Sequence, residues 1–415
     1  MADAPDTRPV RDWATDYDIF DPDYVRDPAP IWDDLRDRCP IARTQRWGGS
    51  WMPTRYEDLR KLAKMVPALS SRSPVVVPPP PELREVLVAE AKMYGSEIPP
   101  INSDPPEHKP YRRLILPFFS PHAVAERIPC TRELCNRLVD GFIAEGRADA
   151  AADYAQQITP RVIAHVLGID PSRADEFVTW VRGLIEHGQT QPQLRIKYRG
   201  IIRDFFQDMV TERRARPRDD AISTLLQAEV EGEKLNDYKV VGVCSLLLVA
   251  GVDTTWSSIS ASLLHFATHP EDQARIRAEP ELLPTAVEEL LRFHSPVTVG
   301  RKVTEPVSIG GVEMTPGDKV LLNFPGANRD PAAFDRPDEV VLDRKRNRHL
   351  AFGLGIHRCA GSNLARMEMQ VALRVWFDRI EEFELADPDG VTWAGGQVRG
   401  PRTVPVRFTA ACRDG

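Results

Sequence analysis

A surplus of positive charge is missing from this 415-residue sequence: the formal charge is -7. That excludes a general nucleic-acid binder, which needs a basic face to neutralise phosphates. Cysteine is sparse, with Cys39, Cys130, Cys135, Cys244, Cys359 and Cys412 scattered without a C-x-x-C pair or zinc-like spacing. Reduced thiols and a cytoplasmic location are the expectation. The chain does not open on a basic segment followed by an apolar one, so no secretory signal is read. The longest nearly apolar run, 240–252, holds Gly242, Cys244, Ser245 and Gly251 and is too short to cross a bilayer, which leaves a buried core helix as the expectation. Repeats, low-complexity linkers and composition breaks are absent too. One domain over 1–415 is expected, with 1–20 as a loosely ordered N-terminal extension.

What is present is apolar content of 42%, enough for a large core, and helical periodicity. Helices are expected at 28–38, 56–65, 107–119, 130–145, 148–167, 173–186, 194–216 and 237–267. Strand signals are short and few, at 41–45, 50–54, 297–303, 319–324 and 403–408. The fold class is mainly α with small β-sheets. Residues 71–106, with the run Pro78 to Pro81 and an amphipathic piece near 83–93, read as a long excursion over one face, and such segments are often functional.

The densest signal is F-G-x-G-x-H-x-C-x-G, met at Phe352, Gly353, Gly355, His357, Cys359 and Gly361. Six fixed identities coincide by chance on the order of 10⁻⁸ times per starting position. The glycines allow a tight turn and close approach to a flat partner. Cys359 lies just before a helical segment beginning at Ser362, where the helix dipole and backbone N–H groups favour a thiolate, the form that binds iron.

Residues 352–361 resemble the haem-ligand loop of the cytochrome P450 family. The resemblance implies Cys359 as the metal ligand, haem b as cofactor, and haem held between the long central helix and the helix after the cysteine. It spans about 28–408 and brings further motifs in the family's order. A/G-G-x-D/E-T-T/S is matched by AGVDTT, Ala250 to Thr255, about 105 residues upstream of Cys359. There Gly251 would leave a gap in the helix surface, Thr254 can bond back to a carbonyl, and Asp253 adds an acid, so a groove for O₂ and water is expected. Asp253 and Thr254 are the implied catalytic proton relay. E-x-x-R, weak on its own, occurs at Glu289 and Arg292 and is implied to form, with Arg344, a structural network anchoring the haem loop. His108, Arg112, Arg301 and His357 are the implied propionate cations, and Phe352, Ala250 and Gly251 complete the cofactor set. Two departures from the family's pattern are Ala360 after the cysteine and PDEVVLDR, which lacks the usual aromatic; neither changes the haem assignment that the resemblance implies.

The implied activity is insertion of one oxygen atom from O₂ into a small to medium apolar organic substrate. Electrons are expected from NAD(P)H through an external ferredoxin and ferredoxin reductase, since neither a flavin nor an iron–sulfur segment is read. A basic patch of Lys109, Arg113, Lys345, Arg346, Arg348 and Arg358 is expected to receive the ferredoxin. Leu246, Val249, Val297, Val299, Gln397 and Val398, none charged, are the expected substrate pocket, roofed by 71–106 and the 186–193 connection. A monomer without a membrane span is expected. The alternatives are a peroxide-driven peroxygenase and a non-catalytic haem sensor.

Overall fold

The computed structural model describes residues 8–94 and 97–410. Its axis is a helix, Asp237–Thr268, of 32 residues, about 48 Å long at 1.5 Å per residue. Asn236 starts it by accepting from Lys239 N, and Pro270 begins the next helix just beyond its end. The expected apolar run understates this helix, which is long and apolar enough to cross a membrane by length and composition. Most of that stretch, 72%, is buried inside the protein instead. Val240, Leu248, Trp256, Ile259 and Leu263 are fully enclosed, at about 1.5–3 kcal/mol for each large apolar side chain. Helices Gln156–Leu167, Pro192–Ala215 and Ser362–Arg379 pack around it.

A five-stranded sheet flanks this helical body. Its order is Ile41–Thr44, Ser50–Pro53, Lys319–Asn323, Thr298–Val303, Leu69–Ser70, with one parallel pairing between the second and third. Its core joins Ile41, Leu59, Val303, Val320 and Leu322. Smaller sheets hold the C-terminal strands, Pro405–Phe408 pairing with both Phe383–Leu385 and Arg147–Asp149.

Three expectations are corrected. Residues 8–20 are packed, not loose: Tyr17 and Ile19 are 2% and 3% exposed, and Tyr17 Oη meets Ser50 Oγ at 2.7 Å; residues 1–7 lie outside the described ones. The span 148–167 is not one α-helix. Asp149 sits in a strand and accepts from Ala151 N and Ala152 N, so the chain passes through a wide π-turn, Ala150–Ala155, before Gln156–Leu167. The 186–193 connection is helical rather than a loop, with His187–Thr190 followed at once by Pro192–Ala215, whose proline occupies the first turn. The excursion 71–106 contains a 14-residue helix, Pro81–Tyr94. The five described cysteines carry free thiols, and Cys412 lies outside the described residues.

Candidate active site

The cysteine loop is built by its own backbone. Gly353 and Gly355 adopt φ of +64° and +76°, which side chains resist, and a Cβ on Gly355 would stand 2.8 Å from Ala63 O. Cys359 N then reaches Phe352 O at 2.8 Å, closing the loop, and helix Ser362–Arg379 begins. The loop is clamped from behind. Arg366 lies over the Phe352 ring at 4.4 Å and grips Glu288, whose other partner is His349 at 3.1 Å. Below it, Glu289 and Arg292, both fully buried, pair at 2.8 Å. Arg344 Nε and Val341 N each donate to Glu289 at 2.8 Å, while Arg292 also caps the carbonyls of Asn328, Pro337 and Glu339.

Cys359 opens onto a cavity of about 1150 Å³, above the ~300–1,000 Å³ of ordinary ligand pockets. The surrounding protein pushes its thiol above the usual range by desolvation, against the pull of Gly361 N–H and of Arg112, Arg358 and Arg366, although the residue itself stands exposed to the open space of the cavity. His108, Arg112, Arg301 and His357 line the same cavity. The two imidazoles lie 4.4 Å apart, centre to centre, and each buries an Nε2 without a hydrogen-bond partner among the described residues. Burial and the neighbouring Arg301, His108 and Arg112 hold His357 down to about 3, and burial holds Arg301 down to about 10. Asp104, the carboxylate that opposes this on Arg301, is held by Ser70 Oγ at 2.5 Å and Ser71 N at 2.8 Å. Buried cationic and imidazole groups without a carboxylate of their own suit a dianion, and haem propionates supply one. Cavity size, donor chemistry and orphaned nitrogens all fit haem.

On the long helix, Ala250, Gly251 and Thr254 line the cavity, and Thr254 Oγ1 donates to Ala250 O at 3.0 Å. The expected gap at Gly251 is filled on its side-chain side, where a Cβ would meet Ile163 Cδ1 at 3.0 Å, and the helix runs through unbroken. Asp253 is not brought to the cavity with Thr254. Its carboxylate, 1% exposed, turns to Arg402 at 2.9 Å and Ser257 at 3.3 Å, and Arg402 meets Glu186 at 2.8 Å. Burial raises its pKa despite Arg402. Leu246, Val249, Val297, Val299, Gln397 and Val398 line the cavity with Phe352. The wall is not free of charge, however: Lys319, Arg195, Arg84 and Glu368 belong to it as well. Neither these nor Arg402 carries a local sequence signal, because each is brought in by a distant element.

The profile of the family described as Cytochrome P450 matches residues 172–391. A curated relative, Mycinamicin IV hydroxylase/epoxidase of Micromonospora griseorubida, is 33% identical over 382 residues, covering 90% of this chain and 94% of the relative. The chain belongs to the cytochrome P450 family. Another relative of this P450, Vitamin D(3) 25-hydroxylase of Pseudonocardia autotrophica, is 31% identical over 94% of this chain and 96% of its own. The solved complex of P450BioI with a hexadec-9Z-enoic acid ligated acyl carrier protein superposes with a TM-score of 0.83 at 28% identity, over 93% of this chain and 100% of that one. The protein is a cytochrome P450 monooxygenase, an oxidoreductase of mainly helical fold with small sheets, and the family implies haem.

Proposed function

We propose that this P450 inserts one atom of O₂ into a small to medium organic substrate with a largely apolar body, using NAD(P)H electrons passed through a ferredoxin reductase and a ferredoxin in the cytoplasm. The observation that carries the reading is one cavity lined both by Cys359 and by Ala250, Gly251 and Thr254, with many apolar residues in the same lining. Haem b held there by Cys359, His108, Arg112, Arg301 and His357 supplies the binding and reductive activation of dioxygen. Thr254 holds its hydroxyl at the wall and orients water and oxygen there. Asp253 feeds protons to it, which requires its pair with Arg402 to open, since the carboxylate faces away from the cavity. Leu246, Val249, Val297, Val299 and Val398 exclude bulk water and position the substrate.

Substrate oxidation by the haem-loaded enzyme with ferredoxin and reductase tests this directly. With Thr254→Ala, haem content and first reduction are expected to stay at wild-type levels while most electrons leave as peroxide. With Asp253→Asn, oxygen consumption should slow by about 10²-fold, the scale of one acid–base group. Product formed per NADH at wild-type levels in both variants would reject the relay.

The donor side follows from charge placement. Lys109 and Arg113 are exposed on helix His108–Ile115, and Arg112 from the same helix donates to Arg358 O beside the cysteine. Exposed Leu116 and Ile356, 42% and 41%, border the same patch. An acidic ferredoxin docked there has the shortest path to Cys359. Lys109→Glu or Arg113→Glu should slow first reduction about tenfold at low salt and less at high salt, leaving substrate-induced spectral shifts intact. Rates indifferent to both changes would place the donor elsewhere.

A further inference from the structure

Charge is compensated unevenly around this cavity. Arg199 meets Glu90 and Glu97, each at 2.7 Å. Lys319, Arg195 and Arg84 line the same cavity, and among the described residues none of the three has an ion-pair partner. Their hydrogen bonds go instead to the carbonyls of four consecutive residues. Lys319 Nζ donates to Val76 O at 3.1 Å, Arg195 Nη1 to Val77 O at 3.0 Å and Pro78 O at 3.4 Å, and Arg84 Nη2 to Pro79 O at 3.2 Å. One ammonium and two guanidiniums thus gather along a single segment with N–H donors to spare.

Their setting is the outer part of the cavity, since Arg84 is exposed while Lys319 and Arg195 are half-buried. Burial, with Arg195 and Arg84 nearby, holds Lys319 down to about 8, and burial holds Arg195 down to about 10 against the pull of Glu97. Half-buried positive charge without a counter-ion costs free energy, and an incoming anion removes that cost. Apolar Leu83, Ile98, Leu246 and Val249 line the same cavity, as does Cys359.

We propose that Lys319, Arg195 and Arg84 form an anion subsite that takes the carboxylate of the substrate, whose apolar body extends inward to the reacting position beside Cys359. This rests on the monooxygenase reading and narrows it to apolar carboxylic acids, against the uncharged lining expected from sequence. Arg195 offers a planar pair of donors, Lys319 a point charge, and Arg84 draws the acid in from solvent.

The test uses the full-length, haem-loaded enzyme and two matched pairs of probes: dodecanoate with its methyl ester, and 4-cyclohexylbenzoate with its methyl ester. Binding is read by calorimetry and by the haem absorbance shift. In at least one pair the acid should bind about tenfold tighter than the ester, the scale of a charge-assisted hydrogen bond. Lys319→Met and Arg195→Gln should each bring that ratio to within about twofold while leaving the ester's Kd unchanged. Arg195→Gln carries the test alone if Lys319→Met does not fold. Acid and ester of equal affinity in both pairs, or a preference that survives in the folded variants, overturns the subsite even if esters are oxidised. Tight acid binding by calorimetry, lost in the variants, with no NADH-dependent oxygen insertion into any of the four probes upholds the subsite and overturns the proposed insertion of oxygen into apolar substrates of this kind.

Discussion

Replacement of Cys359 by histidine is expected to abolish the red-shifted Soret band of the reduced, carbon-monoxide-treated enzyme and to lower substrate oxidation by at least about 10³-fold, ~4 kcal/mol of barrier. The loop around this position is closed by Cys359 N donating to Phe352 O, a backbone bond that the substitution leaves in place. What changes is the atom offered to iron. A thiolate pushes electron density that favours O–O cleavage, and an imidazole does not. Cys359→Ser, close to the native size, separates ligand chemistry from misfolding: it should fold with the wild-type circular dichroism spectrum and still lack the band. A red-shifted band persisting in Cys359→His would show that another group holds the haem.

Arg292→Leu is expected to destabilise the protein by about 3–5 kcal/mol, the scale for removing one partner of a buried ion pair, and to lower haem retention with it. Leucine fits the volume but satisfies nothing. Glu289 keeps Arg344 and Val341 N, while the carbonyls of Asn328, Pro337 and Glu339 lose the donor that ties the segment ahead of the cysteine loop to helix Leu283–Phe293. For Glu289, burial raises the pKa, but Arg292 and Arg344 outweigh it and the net shift is downward. A carboxylate with a lowered folded-state pKa contributes stability that is fully present above its unfolded value and is lost as the pH falls through the folded one. The variant should therefore lose part of the acid-side slope in stability along with its midpoint. A urea midpoint and haem content equal to wild type would reject the anchoring role.

Much of the site was legible because its parts are local. Phe352 to Gly361 is a turn whose glycines are demanded by its own backbone, Glu289 and Arg292 are three apart on one helix, and Thr254 bonds its own turn at Ala250. Helix periodicity likewise belongs to the segment that shows it, so the long helix was expected nearly to its ends. The short strands 147–149, 307–309, 312–314 and 383–385 were not anticipated, since each exists only through its pairing partner and one of them, 147–149, pairs across more than half of the chain.

By itself, then, the sequence determined the ligand loop, the helical class and the family resemblance, which rest on motifs of ten residues or fewer and on the order of those motifs along the chain. Tertiary structure alone decided where the charges without a partner on their own helix go. It turned Asp253 away from the cavity toward Arg402, tied down the segment 8–20 by pairing Arg46 with Asp16 and Asp18, and gathered Lys319, Arg195 and Arg84 on the carbonyls of Val76 to Pro79. The physical reason is common to all three. A charged side chain takes whichever partner the packing of apolar elements delivers within about 3–4 Å, and that neighbour comes from another part of the chain, where no local pattern can announce it.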